Sequence, residues 1–272
     1  MDDVERLKRR LDALSPLTGE NVSALMSLWR AQTANYVQAS NAIEGNTLTV
    51  GETLLVIDED RVTSNKRMSD HVQALNGARA FGMMLDMAQS NERMTLDTIL
   101  ELHEAVDAGK PHAGKLRDHA VQIRGSLHVP PNFEKVHSLM VETLERFRGT
   151  SQTEHPVVRA ARLHFDLVTI HPFADGNGRT SRLVQNLALI QNGYPPVLIH
   201  GAERGKYFEV LQGSQIKVPG IGDPAEFIDY CIELEVASLE AYVEALDRLG
   251  NGETMDSTPS VQTVTKQRDL ER

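Results

Sequence analysis

The chain has 272 residues and a formal net charge of −10, with 38 acidic against 28 basic side chains. This acidic balance excludes a general binder of nucleic acid or of anionic membranes. The single cysteine, Cys231, excludes an internal disulfide. No apolar run approaches the ~20 residues of a membrane-spanning helix, and the first residues lack the apolar core of a signal peptide. We therefore expect a soluble, cytoplasmic protein.

Two helices are predicted at the N-terminal end. Residues 2–14 have the spacing of a short amphipathic helix, and a longer helix runs from about residue 20 to Glu44, where Gly45 and Asn46 end it. Glu44 places a negative charge at a helix C-terminus, where the helix dipole disfavours it by up to ~1 kcal/mol. A solvated glutamate is the commoner situation, but an acid in this position also suggests a cationic partner elsewhere in the fold.

Further helices are predicted along the rest of the chain, around one ambiguous segment. Apolar periodicity places them at about 51–65 (ending in a polar turn), 69–89, 95–108, 133–148, 157–170, 177–192, 203–212 and 224–249. Two short apolar pieces, 121–124 and 127–129, fit a β-hairpin and an irregular connection equally well. Residues 252–272 are polar without periodicity, which predicts a disordered tail or the start of a truncated segment.

The stretch from His171 to Arg182 carries the chemistry. An apolar helix delivers His171 at its end, and Gly176-Asn177-Gly178 begins the next helix, which stops at Gly193. Exposed N–H groups and the positive end of the dipole make such a helix N-terminus an anion site, and glycine lets the backbone approach the ligand closely.

Charged side chains surround this predicted cradle. Arg179 and Arg182, three positions apart, lie on neighbouring parts of one helix face and suit phosphate oxygens. Asp175 supplies a hard oxygen ligand suited to magnesium. His171 is the group in the stretch that can act as a general base near neutral pH. Cradle, metal ligand, arginine clamp and base together indicate phosphoryl-type transfer.

The pattern His-Pro-Phe-x-Asp-Gly-Asn-Gly-Arg-x-x-Arg at 171–182 is similar to the complete signature of the Fic family. Typical members move AMP from ATP onto a protein hydroxyl. The resemblance implies an all-α, single Fic-type domain of about eight helices with a small β-hairpin flap at about 117–131. It also implies that the nucleotide is held by Asp175, Gly176, Asn177, Gly178, Arg179, Thr180, Ser181 and Arg182, with Mg²⁺ on Asp175.

A second motif resembles the inhibitory pattern Ser/Thr-x-x-x-Glu-Gly/Asn of self-restrained Fic proteins. It comprises Ser40, Glu44 and Gly45, and in that subfamily the glutamate pairs with the second arginine of the signature, here Arg182. The domains expected are therefore 1–50 with the inhibitory motif, 51–250 as the catalytic core, and 251–272 as the tail.

The resemblance also implies two recognition surfaces. An aromatic pair and an amide line the nucleoside pocket of the family, and these align with Tyr207, Phe208 and Gln215, although asparagine is commoner at the last position. The free edge of the flap holds a target segment by strand addition. Its residues here are Val121, Gln122, Ile123 and Arg124.

The favoured hypothesis is protein adenylylation. His171 takes the proton from a Ser, Thr or Tyr hydroxyl that attacks the α-phosphate of ATP, and Glu44 opposes the reaction by occupying Arg182. Three alternatives stay open: removal of AMP from a modified protein with Glu44 aligning water, transfer from another donor such as UTP or CDP-choline, and a nucleotide-gated interaction module without turnover. Relatives often form homodimers, which the helix patterns here do not test.

Overall fold

The computed structural model describes residues 1–14, 29–59, 61–218 and 222–250. The predicted tail at 252–272 and much of the helix predicted from residue 20 lie outside these ranges. Two short 3-10 helices occur at Phe133–Lys135 and Gly201–Glu203. The helices that lie wholly within the described ranges are α1 (Asp2–Leu14), α2 (Thr33–Ile43), α3 (Val50–Glu59), α4 (Met68–Gln89), α5 (Leu96–Val106), α6 (Val136–Gly149), α7 (Pro156–Ile170), α8 (Asn177–Gln191), α9 (Arg204–Ile216) and α10 (Ala225–Gly250).

These ten helices confirm the predicted all-α class and exceed the eight expected. α7 and α8 form the central pair, joined by residues 171–176, with α4 and α5 against α8 and with α10 against α7. Every residue of α8 from Arg179 to Ile190 is buried, so this helix is enclosed by its neighbours on all sides. The N-terminus of this buried helix carries the predicted cradle.

The helix predicted from residue 20 to Glu44 is interrupted. Gln32 is a turn, and α2 begins only at Thr33. Its C-terminus matches the prediction, because Asn46 N–H donates to Asn41 O and Gly45 N–H to Ala42 O, with Gly45 at φ +89°. This pair of hydrogen bonds is the Schellman motif, in which the residue in the left-handed conformation is usually glycine. It fixes where Glu44 leaves the helix.

α2 is packed closely on α4. Tyr36 stacks on Phe81 with ring centroids 4.3 Å apart, and a Cβ added at Gly77 would stand 3.0 Å from Val37. The glycine thus lets the two backbones approach more closely than any larger residue would. Arg204, at the start of α9, donates to Ile43 O at 2.7 Å and so caps α2 from the other side.

The β-hairpin expected at 117–131 is wrong for this structure. The segment contains no strand, and Gly125 (φ +78°) lies in a turn in which Ser126 N–H donates to Ile123 O at 3.1 Å. The connection from Gly125 to His128 is not a two-residue turn of the kind that sets strand register. Side chains from other elements hold the segment instead, and we keep the name flap for residues 117–131.

No helix in the described ranges combines the length and the apolar character needed to cross a bilayer. The N-terminal helix α1 packs on α10. Its apolar face, which the sequence predicts, is buried through Val4, Leu7 and Leu11. α1 therefore supports the long C-terminal helix.

Glu235 on α10 predicts a pH-dependent stability. It is fully buried, and neither carboxyl oxygen has a hydrogen-bond partner among the described residues, so burial raises its pKa well above the ordinary 4.5. The free energy of unfolding is therefore highest at low pH, where Glu235 is protonated in both the folded and the unfolded chain. It falls as the pH rises above 4.5, because Glu235 loses its proton at a lower pH in the unfolded chain than in the folded one. We expect Glu235→Gln to melt at a higher temperature than wild type at about pH 8 and at a similar temperature near pH 4. The same pH dependence of the melting temperature in Glu235→Gln and in wild type would contradict this. Glu233→Gln, at an exposed position of the same helix, is the control.

Candidate active site

His171 occupies the C-cap of α7 in a left-handed conformation, with φ 53° and ψ 58°. Its N–H donates to Leu167 O at 2.9 Å, which closes the last turn of the helix. A non-glycine residue in this region costs about 1–2 kcal/mol, so its neighbours must hold the chain there. Strain of this kind is commonly kept where a side chain has to be aimed.

The loop after His171 is held by two side chains. Asn177 accepts from Phe173 N–H and donates to Phe173 O, both at 2.9 Å. His103, on α5, stacks on the Phe173 ring with centroids 3.7 Å apart and planes at 5°. Gly114 N–H donates to its Nδ1, so Nε2 carries the proton and donates to Asp175 O at 3.0 Å. Burial lowers the pKa of His103 to about 4, which keeps this neutral tautomer.

Residues 176–178 form the N-terminus of α8, the position at which the sequence predicts that this helix begins. Gly176 is the N-cap of α8 at φ +76°, and Thr180 N–H donates back to its carbonyl. Gly178 faces the space above the helix N-terminus, where an added Cβ would collide with the Glu44 carboxylate. The Glu44 carboxylate therefore lies over the N-terminus of α8.

Glu44 is held there by Arg182. Glu44 Oε1 accepts from Arg182 Nη2 at 2.8 Å, while Arg182 also donates to Ser40 Oγ and Ser40 O at 2.9 Å each. The Arg182 side chain is only 5% exposed and that of Glu44 is 34% exposed. The pair spans 138 positions of sequence and joins α2 to α8. Arg182 Nη1 is buried without a hydrogen-bond partner in the described chain, so it has a donor to spare.

Arg179 is held more loosely. Its contacts to Val106 O, Asp107 and Asp175 measure 3.4–3.5 Å, and its Nε is buried without a partner among the described residues. Charge-assisted bonds are normally 2.7–2.9 Å. The contacts of the Arg179 guanidinium are therefore longer than those of a tight ion pair.

The ammonium of Lys110, which no sequence motif marks, lies between the carboxylates of Asp175 and Asp107. Lys110 Nζ lies 2.6 Å from Asp175 Oδ2 and 2.7 Å from Asp107 Oδ1. Asp107 is almost fully buried, and it also accepts from His112 Nε2 at 2.8 Å. The Asp175 side chain is 54% exposed, and its Oδ1 accepts from Gly176 N–H at 2.6 Å. Hydrogen bonds from Lys110 and the charge of Arg179 lower the pKa of Asp175 despite its partial burial.

Burial is the largest influence on His171. It lowers the pKa of the imidazole to about 4, and the charge of Arg117 adds to the effect. At neutral pH the ring is therefore uncharged and can accept a proton. Its low basicity makes it a weak base that depends on close positioning.

The other predicted nucleotide residues fall into two groups. Ser181 Oγ donates to Asn177 O, and Thr180 Oγ1 is buried without a described partner. Tyr207 is 1% exposed and bonds His164 through its hydroxyl at 3.1 Å, and Gln215 donates to Thr169 Oγ1 at 3.3 Å. Tyr207 and Gln215 are therefore core residues in this structure. Phe208 is 36% exposed, so it offers the accessible aromatic face.

The predicted target-docking residues Val121 and Ile123 are half-buried, and Gln122 and Arg124 are exposed. Their flap borders an open cavity of about 550 Å³ lined by residues 121–126 and 128–130. Within 121–127, the one backbone hydrogen bond between described residues is the turn at Ser126. The backbone groups of residues 121, 122 and 124 make no backbone–backbone hydrogen bond with a described residue, whereas Leu127 N–H donates to Gln212 Oε1.

Sequence reasoning missed His103, Asp107 and Lys110. No sequence motif marks His103, which stacks on Phe173 and donates to the Asp175 carbonyl. Asp107 had a usable signal, because it is an acid at the C-cap of α5, as Glu44 is at the C-cap of α2. The argument from the helix dipole applies equally to both. Lys110 had no comparable signal.

These features define a class: a helical protein with an anion cradle at a buried helix N-terminus, covered by a carboxylate of its own chain. Residues 93–189 match the Fic/DOC family model. Together with its curated relatives, this shows that the chain belongs to the Fic/DOC family.

Curated relatives support the same conclusion over most of the chain. The chain is 33% identical over 282 aligned positions to "Protein adenylyltransferase Fic" of Aedes aegypti, with 98% of this chain and 54% of the relative covered. It is 30% identical to "Protein adenylyltransferase fic-1" of Caenorhabditis elegans, with 93% and 50% covered. The chain spans about half the length of these relatives.

Solved structures are similar in fold. A Fic domain-containing signaling protein from Bacteroides thetaiotaomicron superposes with a TM-score of 0.81 at 25% identity, covering 94% of this chain and 99% of that one. Fic-1 (aa134–508) from C. elegans gives a TM-score of 0.74 at 27% identity, with 90% and 72% covered. The first of these shows that the chain has the Fic fold over 94% of its length.

Proposed function

We propose that the protein is a protein adenylyltransferase that moves AMP from ATP to a Ser, Thr or Tyr hydroxyl of a target protein and of itself. The observation that carries the proposal is the complete set of groups at 171–182, built on the N-terminus of α8, with spare donors on Arg179 and Arg182. The names of the curated relatives agree with it.

Each group of the site has a role in the proposed reaction. The cradle N–H groups and the two arginines bind the phosphates, since preformed donors stabilise developing negative charge without reorganisation. His171 takes the proton of the attacking hydroxyl. The hydroxyl oxygen then bonds to the α-phosphorus, the bond from that phosphorus to the oxygen of the β-phosphate breaks, and pyrophosphate leaves. Positioning supplies most of the rate in chemistry of this type.

Glu44 opposes this reaction. Its carboxylate lies over Gly178 and accepts from Arg182, so it takes the place and the donor that a terminal phosphate of ATP needs. A nucleotide can still bind through Arg179 and the rest of the cradle, but its α-phosphorus is then out of line with the hydroxyl. The inhibitory roles of Glu44 and Ser40 follow from this competition.

The residues present fit magnesium that arrives with its nucleotide. No cluster of three or more His, Cys, Asp or Glu side chains in the described ranges could cage a metal, whereas Asp175 presents exposed carboxylate oxygens beside the cradle. Mg²⁺ typically keeps several waters and binds one or two carboxylates plus phosphates. Asp175 would hold it, and the ion would neutralise phosphate charge.

Lys110 competes with such an ion for Asp175. Because its ammonium is 2.6 Å from Asp175 Oδ2, a divalent cation has to displace it. We expect Lys110→Met to bind Mn²⁺, in the presence of ATP, about tenfold more tightly than wild type, which corresponds to about 1.4 kcal/mol. Electron paramagnetic resonance titration of free Mn²⁺ measures this. Lys115→Met is the matched control, since its ammonium contacts the Pro111 carbonyl and no described carboxylate. Unchanged Mn²⁺ affinity in Lys110→Met contradicts the competition.

The donor is tested by supplying Glu44→Gly with α-labelled ATP, γ-labelled ATP, labelled UTP and labelled CDP-choline. Protein-bound label from α-labelled ATP alone supports AMP transfer from ATP. Label from UTP or CDP-choline instead moves the proposal to that donor. Nucleotide binding without label in every Glu44 variant identifies an interaction module without turnover.

Removal of AMP from a modified protein is a second candidate. It is favoured by the partial exposure of Glu44, which is 34% accessible while bound to Arg182, so its carboxylate can orient a water at the cradle. Incubation of an AMP-carrying target with the protein tests this activity. AMP release that is lost in Glu44→Gly supports removal, and release at the same rate in both proteins contradicts a role of Glu44 in it.

A further inference from the structure

Arg117 joins the flap to the loop that carries His171. The arginine is 5% exposed. Its Nε donates to His171 O at 2.8 Å, and its Nη2 to Ile170 O at 3.4 Å. Its own backbone N–H donates to Pro172 O at 2.9 Å. One residue therefore holds three consecutive carbonyls at the end of α7.

The same guanidinium holds both ends of the flap. Nη1 donates to His119 O at 3.0 Å, and Nη2 donates to Pro131 O at 2.6 Å. Arg117 makes no ion pair with a described carboxylate, so its buried charge is compensated by carbonyl dipoles, including those at the negative end of α7. Such a satisfied network has one preferred arrangement, and a change in any carbonyl position is transmitted to the others.

Two further contacts tie the flap to the neighbouring helices. His128 Nε2 bonds Thr169 O at 2.8 Å, and Leu127 N–H donates to Gln212 Oε1 on α9 at 2.9 Å. The middle of the flap is thus seated on α7 and α9 while its ends meet at Arg117. Movement of the flap and movement of residues 170–172 are therefore coupled.

We propose that Arg117 is a positioning residue that aims His171 and makes its aim depend on how the flap is seated. The inference rests on the proposed role of His171 as the base. A target segment that adds to the flap would fix the positions of the flap ends. Arg117 would transmit this constraint to His171, the strained residue in the left-handed conformation. The base is then best placed when a hydroxyl is present to be deprotonated.

A charge effect supplies a second readout. The charged and titratable groups that act on His171 are Arg117 and His128 from the flap and Glu44 from α2. The two flap groups lower the pKa of His171, and Glu44 raises it. Removal of the Arg117 charge should therefore raise that pKa above about 4.

The test compares three variants in a Glu44→Gly background: Arg117→Gln, Arg117→Lys and Arg159→Gln. Arg159 is the matched control, because it is a buried arginine near the other end of α7 whose guanidinium bonds only to the Phe147 carbonyl among the described residues. We expect Arg117→Gln to lower kcat about 10²-fold, the size of effect that a misplacement of about 1 Å causes. KM for ATP should stay close to the parent value, and the acid limb of the kcat/KM profile should move to higher pH.

Arg117→Lys retains the charge but not the fork of donors. It should lower kcat while leaving the acid limb in place, and it provides the readout if Arg117→Gln does not fold. Arg159→Gln should lower the melting temperature without changing kcat or the limb. A kcat in Arg117→Lys equal to that of the parent, or equal kcat losses in the Arg117 and Arg159 variants at matched melting temperatures, overturns the inference. Persistent activity in Glu44→Gly/His171→Ala would instead contradict the proposed role of His171 as the base.

Discussion

Glu44→Gly should transfer AMP to itself at least about tenfold faster than the wild-type protein, since tenfold requires only about 1.4 kcal/mol of relieved competition. The substitution frees Arg182 Nη2, which now donates to Glu44 at 2.8 Å. It also clears the space over Gly178. Both changes act on the position of the terminal phosphates, so the α-phosphate comes into line with the hydroxyl. The initial rate of incorporation from α-labelled ATP measures the effect.

Glu59→Gly is the control for this experiment. Glu59 is an exposed glutamate on α3, 51% accessible and paired with Arg61, and its replacement leaves the cradle untouched. It should transfer AMP at the wild-type rate. Equal rates for Glu44→Gly and wild type would refute the inhibitory role of Glu44, whatever the donor proves to be.

His171→Ala in the same background should lose AMP transfer by about 10²–10⁴-fold, the range of general base catalysis, while ATP binding survives. Binding depends on the α8 N-terminus and the two arginines, and His171 lies outside that set, at the end of α7. Calorimetric titration with ATP and rate measurement on one sample separate the two effects. His137→Ala, an exposed histidine on α6, should change neither.

Loss of ATP affinity in His171→Ala would show that the residue contributes to the cradle and not only to proton transfer. The thermal melting temperature has to be compared as well, because residue 171 is in a left-handed conformation that alanine also tolerates poorly. A rate loss at unchanged melting temperature and affinity assigns the effect to the imidazole.

The sequence predicted best what depends on local pattern. The end of α7 at His171, the start of α8 after Gly176 and the end of α2 before Gly45 each follow from residue types at fixed spacing, and all three helix boundaries lie where the sequence predicts them. The ion pair between Glu44 and Arg182 is present, although the resemblance and not the spacing pointed to it. Its inhibitory consequence stays a prediction.

Contacts between distant segments could not be read from pattern. Lys110 reaches Asp175 across 65 positions and Arg117 reaches His171 across 54, and nothing in the local sequence marks either lysine or arginine as a partner. The prediction of a β-hairpin in the flap was wrong for a related reason. Its strand-like residues are real, but the connection between them does not fix a register, and tertiary contacts through Arg117, His128 and Gln212 decide its shape.

We propose that His171 and the cradle transfer AMP when Glu44 is removed. Intact-mass analysis of Glu44→Gly and Glu44→Gly/His171→Ala after incubation with ATP and magnesium tests it most directly. We predict a mass gain of one or more AMP groups on Glu44→Gly alone. An unmodified mass for both proteins, with ATP bound to each, would contradict the claim.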